Sequence, residues 1–298
     1  MKCSALIHDN RCSQSVHSIV HDNRMFAERT FYCLNATQVE ARRTDEKKPK
    51  GASGQMYQFF VEPSQIQGNR IVITGSDVNH IKNVLRMKPG EEIAVSNGTD
   101  GKEYRCGIEE LLEEEIICTL RFIKEDGLEL PARVTFFQGL PKADKMEFIV
   151  QKAVELGVSR IVPYLSKNCV SRPDKTEKKV ERWRKIAAEA AKQCGRGRLP
   201  EVAAVVPVAQ AIAQAAESET ALFFYENERR TGLRDALASG VRDTVSLMGG
   251  PEGGFDPAEA KAAVDAGLQS VSLGTRILRC ETAPIAALAA VLYAGGNM

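Results

Sequence analysis

The chain contains 298 residues, 43% of them hydrophobic and 27% charged, and its formal net charge is +1. This composition is typical of a globular protein with one large or two ordinary domains. No run approaches the roughly eighteen apolar residues of a membrane helix, and the N-terminus lacks the apolar core of a secretory signal, so we expect a cytoplasmic protein, with an organellar matrix as the alternative. Because the overall charge is close to zero, any contact with nucleic acid has to depend on local basic patches.

Residues 1–55 differ from the rest of the chain in showing no sustained helical or strand period, and they end in a polar run. Their cysteines and histidines match the spacing of no familiar zinc finger, so we expect no metal site. The acidic residues Asp9, Asp22 and Glu28 count against a transit peptide. We expect a disordered N-terminal extension, and a translation start at Met56 stays open as an alternative.

Residues 56–128 show the pattern of a small β domain, with short strands and tight turns. Asn-Gly and Asp-Gly pairs within residues 97–101 indicate a hairpin turn. One helix interrupts the strands, and we expect Asp77 to cap it. Its apolar face is predicted to comprise Ile81, Val84 and Leu85.

Residues 129–298 alternate strand-like segments with amphipathic helices, which predicts a parallel sheet covered by helices. Asp144 and Gly157 mark the start and stop of the first helix, and a second helix is expected over residues 176–194. Trp183 lies at helical spacing from other apolar residues, so we expect it in the core rather than as a platform for stacking bases.

Two glycine-containing corners follow predicted strands, with sequences GGPEGG at residues 249–254 and LGTRILRCETA at residues 273–283. Ligands of open α/β sheets bind outside the carboxyl ends of the strands, so these corners are the expected site. The first corner is followed by Asp256, Pro257 and Glu259, a pattern that begins a helix.

The first corner does not fit a phosphate-binding loop. Its glycines have the wrong offsets, no lysine or hydroxyl follows them, and Glu252 would repel a phosphate. Tight turns with no ligand are one interpretation. A pocket for a neutral nucleoside, formed by backbone groups and an apolar wall, is the other. The wall would comprise Leu273, Ile277 and Leu278.

The two corners together resemble the last signature motifs of the ribosomal RNA small subunit methyltransferase E family. Three further segments are similar to other parts of that family: residues 140–163, 193–202 and 78–95. The resemblance covers residues 56–298 and leaves residues 1–55 outside.

The resemblance implies an enzyme that uses S-adenosyl-L-methionine to methylate N3 of a uridine in small-subunit (16S) ribosomal RNA. It also implies an α/β SPOUT domain over residues 129–298, whose C-terminal segment forms a deep trefoil knot, preceded by a β-barrel PUA-like RNA-binding domain over residues 56–128. Members of the family are homodimers. Rival interpretations are a SPOUT methyltransferase acting on transfer RNA or another base, and a non-catalytic RNA-binding protein.

Site residues follow from the same resemblance. The cofactor is expected to contact Gly250, Pro251, Glu252, Gly253, Leu273, Gly274, Ile277 and Leu278. Arg279 is expected to orient the uracil or stabilise its developing oxyanion, with an ion pair to Glu252 or Glu281 as the alternative. Glu281 acts as a base if burial raises its pKa, or else fixes the loop. Cys280 is expected to serve packing. The expected RNA contacts are Arg86, Arg172, Arg196 and Arg198.

Overall fold

The computed structural model describes residues 56–125, 128–170 and 176–298. The expectations for residues 1–55 and for Arg172 lie outside these ranges. None of the helices within them is long and apolar enough to cross a membrane. The described strands form two sheets, which the chain builds one after the other.

The first sheet has six strands in the order β1-β4-β5-β6-β3-β2. They are β1 (Gln58–Phe60), β2 (Ile66–Gln67), β3 (Arg70–Thr74), β4 (Glu92–Ser96), β5 (Glu103–Leu111) and β6 (Glu115–Lys124). β1 and β4 are parallel and the other pairs are antiparallel. The predicted hairpin turn joins β4 to β5, where Gly98 and Gly101 adopt positive φ angles of 73° and 74°. Closure of this sheet into a barrel stays a prediction.

The helix of this first unit differs from the expectation. α1 (Ser76–Asn79) continues into a π-helical turn, His80–Val84, and its N-cap residue is Gly75 rather than Asp77. Asp77 lies in the first turn of α1, and its carboxylate lies 3.2 Å from the Lys192 ammonium. The wider π-turn changes the angle between successive side chains, so Val84 leaves the buried face and is 64% exposed.

The second sheet is entirely parallel, as predicted, with the order β10-β8-β7-β12-β11-β13 and β9 also paired to β8. Its strands are β7 (Arg133–Gly139), β8 (Arg160–Leu165), β9 (Glu201–Val202), β10 (Val206–Pro207), β11 (Thr220–Phe224), β12 (Thr244–Gly249) and β13 (Gln269–Val271). Side chains alternate between the two faces of a strand, so Phe136 and Phe137 enter different cores.

Helices cover both faces of this sheet: α2 (Lys145–Glu155), α3 (Thr176–Cys194), α4 (Val208–Ala215), α5 (Leu233–Ala236), α6 (Pro257–Asp265) and α7 (Thr282–Ala294). Apolar residues of α2, α3 and α7 share a core with Phe136, whereas those of α4 and α6 pack with Phe137. Coverage of both faces explains why the strands are apolar throughout rather than alternating.

Helix boundaries in this half agree with the sequence signals. α2 follows Asp144 and ends before Gly157, whose φ is 84°. α3 occupies the predicted residues, and Trp183 is buried in the core. At α6, Asp256 Oδ1 accepts a 3.0 Å hydrogen bond from the Ala258 amide, and Glu259 Oε2 accepts one of 3.2 Å from the Asp256 amide. This reciprocal pair is the predicted capping box.

The Arg196 side chain is buried near the end of α2, and the expectation that it contacts RNA is wrong for this structure. Only 4% of the residue is exposed. Its guanidinium pairs with Glu129 at 2.6 Å and donates to the carbonyls of Val154 and Val158 at 3.1 and 2.8 Å. Gln58 of β1 donates to the Arg196 carbonyl at 2.9 Å. The guanidinium partners all lie within residues 129–158, and only the backbone carbonyl of Arg196 contacts the first sheet, so the side chain serves packing around the end of α2.

Arg198 and Arg86, by contrast, are exposed, and their RNA contacts stay predictions. The backbone at Arg198 forms an isolated bridge with Gly98, and its amide donates to Glu129 at 3.1 Å. Arg86 follows the π-turn and adopts φ 54°, a left-handed conformation that is uncommon outside glycine. Both side chains are therefore accessible on the surface.

Candidate active site

The two glycine corners lie side by side around one cleft. β11 pairs in parallel with both β12 and β13, so the carboxyl ends of β12 and β13 open at the same edge of the sheet. Between the corners is a cavity of about 470 Å³. Every residue predicted to contact the cofactor lines it, and so does Arg279.

The first corner is held by side chains from neighbouring strands. The Tyr164 hydroxyl donates to the Gly249 carbonyl at 2.9 Å, and Gln138 Nε2 donates to the Gly250 carbonyl at 3.0 Å. Asn168 Nδ2 donates to the Gly253 carbonyl at 3.1 Å. Side chains from β7 and from β8 and the loop after it therefore anchor the carbonyls of the corner.

Close packing explains the glycines of this corner. A Cβ atom at Gly253 would lie 3.0 Å from Asn168, and one at Gly254 would collide with the Glu226 carboxylate. Across the sheet, a Cβ atom at Gly139 would lie 2.6 Å from Pro251. Close contact with neighbouring atoms, and not only a positive φ angle, therefore favours glycine in this corner.

The second corner differs because it is open. Gly274 adopts φ 109°, and no atom lies within 4 Å of the position where a Cβ would stand. Ile277 is 84% exposed, the largest value for a big hydrophobic residue in the described part of the chain. An apolar side chain exposed in a cleft is typical of a ligand-binding wall.

Lys145 joins the two corners, and sequence reasoning missed it. Its ammonium nitrogen lies 3.0 Å from Glu252 Oε1 of the first corner and 3.3 Å from Glu281 Oε2 of the second corner. The Lys142 amide also donates to Glu252 Oε1, at 3.0 Å. Ala143 adopts a left-handed φ of 52°. Such strain in a non-glycine residue is often found at functional sites, and here it precedes the lysine at the start of α2.

Arg279 is exposed in the cleft and forms no salt bridge within residues 56–125, 128–170 and 176–298. The alternative that it pairs with Glu252 or Glu281 is wrong, because Lys145 holds both carboxylates. Its guanidinium is therefore available to a ligand.

Comparison with known proteins identifies the family. Residues 128–292 match the model described as an RNA methyltransferase domain, and residues 73–121 match an RNA methyltransferase PUA domain. The ribosomal RNA small subunit methyltransferase E of Bacillus subtilis is 34% identical over 80% of this chain and 96% of its own length. The chain belongs to the ribosomal RNA small subunit methyltransferase E family.

Solved structures of methyltransferases agree with this assignment. The methyltransferase E of Neisseria gonorrhoeae, solved bound to S-adenosyl methionine, is 33% identical, with a TM-score of 0.73 over 80% of this chain and 98% of its own. A putative methyltransferase of Legionella pneumophila, solved with bound S-adenosyl methionine, is 30% identical with a TM-score of 0.71 and the same shares of coverage.

In this member of the methyltransferase E family, the side chains of Lys145, Glu252 and Glu281 are charged at neutral pH, and we call these three residues the Lys145 cluster. Its hydrogen bond to Glu252 raises the pKa of Lys145. Partial burial acts to raise the pKa of Glu252, but hydrogen bonds from the Lys142 amide and the Lys145 ammonium outweigh it, so this pKa is lowered.

Glu281 does not meet the condition under which it was expected to act as a strong base. Burial acts to raise its pKa, but hydrogen bonds from its own amide, the Cys280 thiol and Lys145 lower it further than burial raises it. The carboxylate is ionised at neutral pH and is a weak proton acceptor. Burial and the bond to Glu281 raise the pKa of the Cys280 thiol to about 12, so the thiol stays protonated.

The site residues that could not be predicted from the sequence lie in one region of the fold. Gln138, Lys145, Tyr164 and Asn168 lie on or after β7 and β8, strands that carry no glycine motif. The signal that could have found them is topological. β7 pairs in parallel with β12, so the chain that leaves β7 reaches the first corner. No group of three or more metal-binding side chains occurs among the described residues.

Proposed function

We propose that the protein transfers a methyl group from S-adenosyl-L-methionine to N3 of a uridine in small-subunit (16S) ribosomal RNA. The observation that carries the proposal is the cleft between the two glycine corners, which lies in a chain of the methyltransferase E family. The relatives solved with bound S-adenosyl methionine support the choice of cofactor.

The residues of the cleft fit this cofactor. A cavity of about 470 Å³ falls in the range of small-molecule sites. Leu273, Ile277 and Leu278 offer an apolar surface to adenine, and the bare backbone of Gly250, Pro251, Glu252, Gly253 and Gly274 allows close approach. When bound, the cofactor supplies a methyl group activated by a sulfonium. The chain itself has to position the acceptor and manage its charge.

Uridine N3 carries a proton at neutral pH, so the acceptor has to lose that proton and develop negative charge. Arg279 is exposed in the cleft and unpaired, and it stabilises the charge that develops on the uracil oxygens. Glu281 is ionised before the reaction and holds the loop that carries Arg279 through its ion pair with Lys145. Because the pKa of Glu281 is lowered, Glu281 is a weak base for N3.

The same proposal includes the finer architecture of the family. The segment around the two corners forms a deep trefoil knot, the first sheet closes into a PUA-like RNA-binding barrel, and two chains form a cytoplasmic homodimer. Residues 56–128 and 129–298 are the two domains. Exposed Tyr293 on α7 is available to a partner subunit, and Arg86 and Arg198 are available to RNA.

Mass spectrometry of nucleosides tests this function. Small-subunit ribosomal RNA from a strain lacking the gene is incubated with the protein and the cofactor, and N3-methyluridine is expected. Arg279→Ala should bind the cofactor normally in calorimetry but transfer the methyl group at least tenfold more slowly. Absence of cofactor binding by the unaltered protein would refute the methyltransferase, and methylation at another base would refute the choice of uridine N3.

A further inference from the structure

The loop after β11 is fastened alongside the second corner. The Tyr225 amide donates to the Val271 carbonyl at 3.2 Å, the Ser272 amide to Thr231 at 2.8 Å, and the Leu233 amide to Ser272 at 3.0 Å. Within the loop, Glu228 Oε1 accepts from the amides of Arg230 and Thr231, at 2.7 and 3.2 Å. The loop therefore has a defined position beside the cleft.

This arrangement brings three arginines to the cleft: Arg229 from the loop, and Arg276 and Arg279 from the second corner. All three residues are exposed, and none forms a salt bridge with a carboxylate elsewhere in the described chain. We call Arg229 and Arg276 the arginine rim.

The acidic groups near the rim are mostly engaged. Lys145 holds Glu252 and Glu281, and backbone amides hold Glu228. Glu226 is the remaining carboxylate that lines the cleft. The mouth of the cleft is thus locally basic, although the whole chain has a net charge of only +1.

We propose that the arginine rim binds the RNA phosphates on either side of the target nucleotide, an inference that rests on the proposed function. A base that enters a closed pocket leaves its sugar-phosphate backbone at the mouth. A guanidinium matches two phosphate oxygens at once, and unpaired arginines give up no internal ion pair to do so. The single carboxylate of the cofactor is the other anion that the rim could meet, but one guanidinium is enough to pair with a carboxylate and the rim has two.

The salt dependence of RNA binding tests the rim. The probe is transcribed small-subunit ribosomal RNA, and its affinity is measured between about 50 and 200 mM salt. Arg229→Ala with Arg276→Ala should reduce the slope of log affinity against log salt by about 0.7 to 1 for each arginine, without changing the dissociation constant of the cofactor. The corresponding double substitution to lysine should keep most of the slope.

Arg242→Ala is the matched control. Arg242 is also exposed, but it precedes β12 and so lies at the opposite edge of the sheet from the cleft. If the double alanine variant has the same slope as this control, the rim does not bind RNA. If instead cofactor affinity falls while the slope is unchanged, the arginines bind the cofactor carboxylate and the proposal is overturned.

These outcomes can be distinguished from failure of the proposed function, because RNA binding is measured without methyl transfer. If the alanine variant has an altered slope but the unaltered protein transfers no methyl group, RNA binding by the rim is supported and the proposed methyltransferase activity is refuted. Normal methyl transfer with unaltered slopes would refute only the rim.

Discussion

Lys145 and Glu252 form an ion pair with 3.0 Å between ammonium nitrogen and carboxylate oxygen, although 107 positions separate them along the chain. The same ammonium lies 3.3 Å from Glu281. One side chain at the start of α2 therefore links the two corners that line the cleft. This link leaves Arg279 without a carboxylate partner and so available to substrate.

Removing the Lys145 ammonium should change the pH dependence of methyl transfer. In Lys145→Ala the carboxylates lose a charge partner, so the pKa of Glu281 rises towards its ordinary value of 4.5. If the ionised form is the active one, the acidic limb of the kcat/KM profile moves to higher pH, and the plateau falls by about tenfold. Lys145→Arg should keep the limb in place. An unchanged limb in the alanine variant would show that Lys145 does not act through Glu281.

The same cluster should make folding stability depend on pH. The folded-state pKa values of Glu252 and Glu281 lie below 4.5, so their contribution is complete above 4.5 and is lost as pH falls through the folded-state values. The difference in unfolding free energy between the unaltered protein and Lys145→Ala should therefore be present at pH 7 and shrink in acid. Urea unfolding at several pH values measures it.

Lys261→Ala is the control for this pH effect, because Lys261 pairs with Asp265 on the exposed surface of α6. Such a pair contributes little, so its removal should change stability by less than about 0.5 kcal/mol at either pH. A Lys145→Ala difference that is equally large in acid would contradict the explanation by charge.

Gly274→Val should abolish cofactor binding while the fold persists. A β-branched residue at φ 109° is strained, and relief of that strain reshapes the second corner. Gly267→Val is a matched control, because Gly267 has φ 97° and also has open space around it, but it lies after α6 and outside the cleft. Each variant should lose about 1 to 3 kcal/mol of stability. Calorimetry should find a loss of cofactor affinity only for Gly274→Val, and equal affinities would remove the second corner from the pocket.

Arg196→Ala should destabilise the protein by about 3 kcal/mol, since it removes the ion pair to the Glu129 carboxylate and leaves the buried Val158 carbonyl without the guanidinium that donates to it. Arg198→Ala, two positions away and exposed, should change stability by no more than about 0.5 kcal/mol. Thermal unfolding compares the two variants. Equal stabilities would show that the Arg196 side chain does not stabilise the fold.

Local signals in the sequence predicted much of the secondary structure of residues 129–298. The capping residues Asp256 and Glu259 act within four positions of each other, and the boundaries of α3 follow from helical periodicity. The π-turn at His80–Val84 escaped prediction, because a change of helical pitch depends on packing rather than on the pattern of apolar residues.

The alternation of strands and helices, the two glycine corners and the family could be predicted because each depends on residues close together in the chain. The pairing of charged side chains could not be predicted in this way. Arg196 appeared to be a surface arginine in a loop, yet it is buried against Glu129, 67 positions away. Lys145 carried no motif, yet it joins both corners. Ion pairs between residues so far apart in the chain depend on the order of strands in the sheet, and the spacing of residues in the sequence does not predict that order.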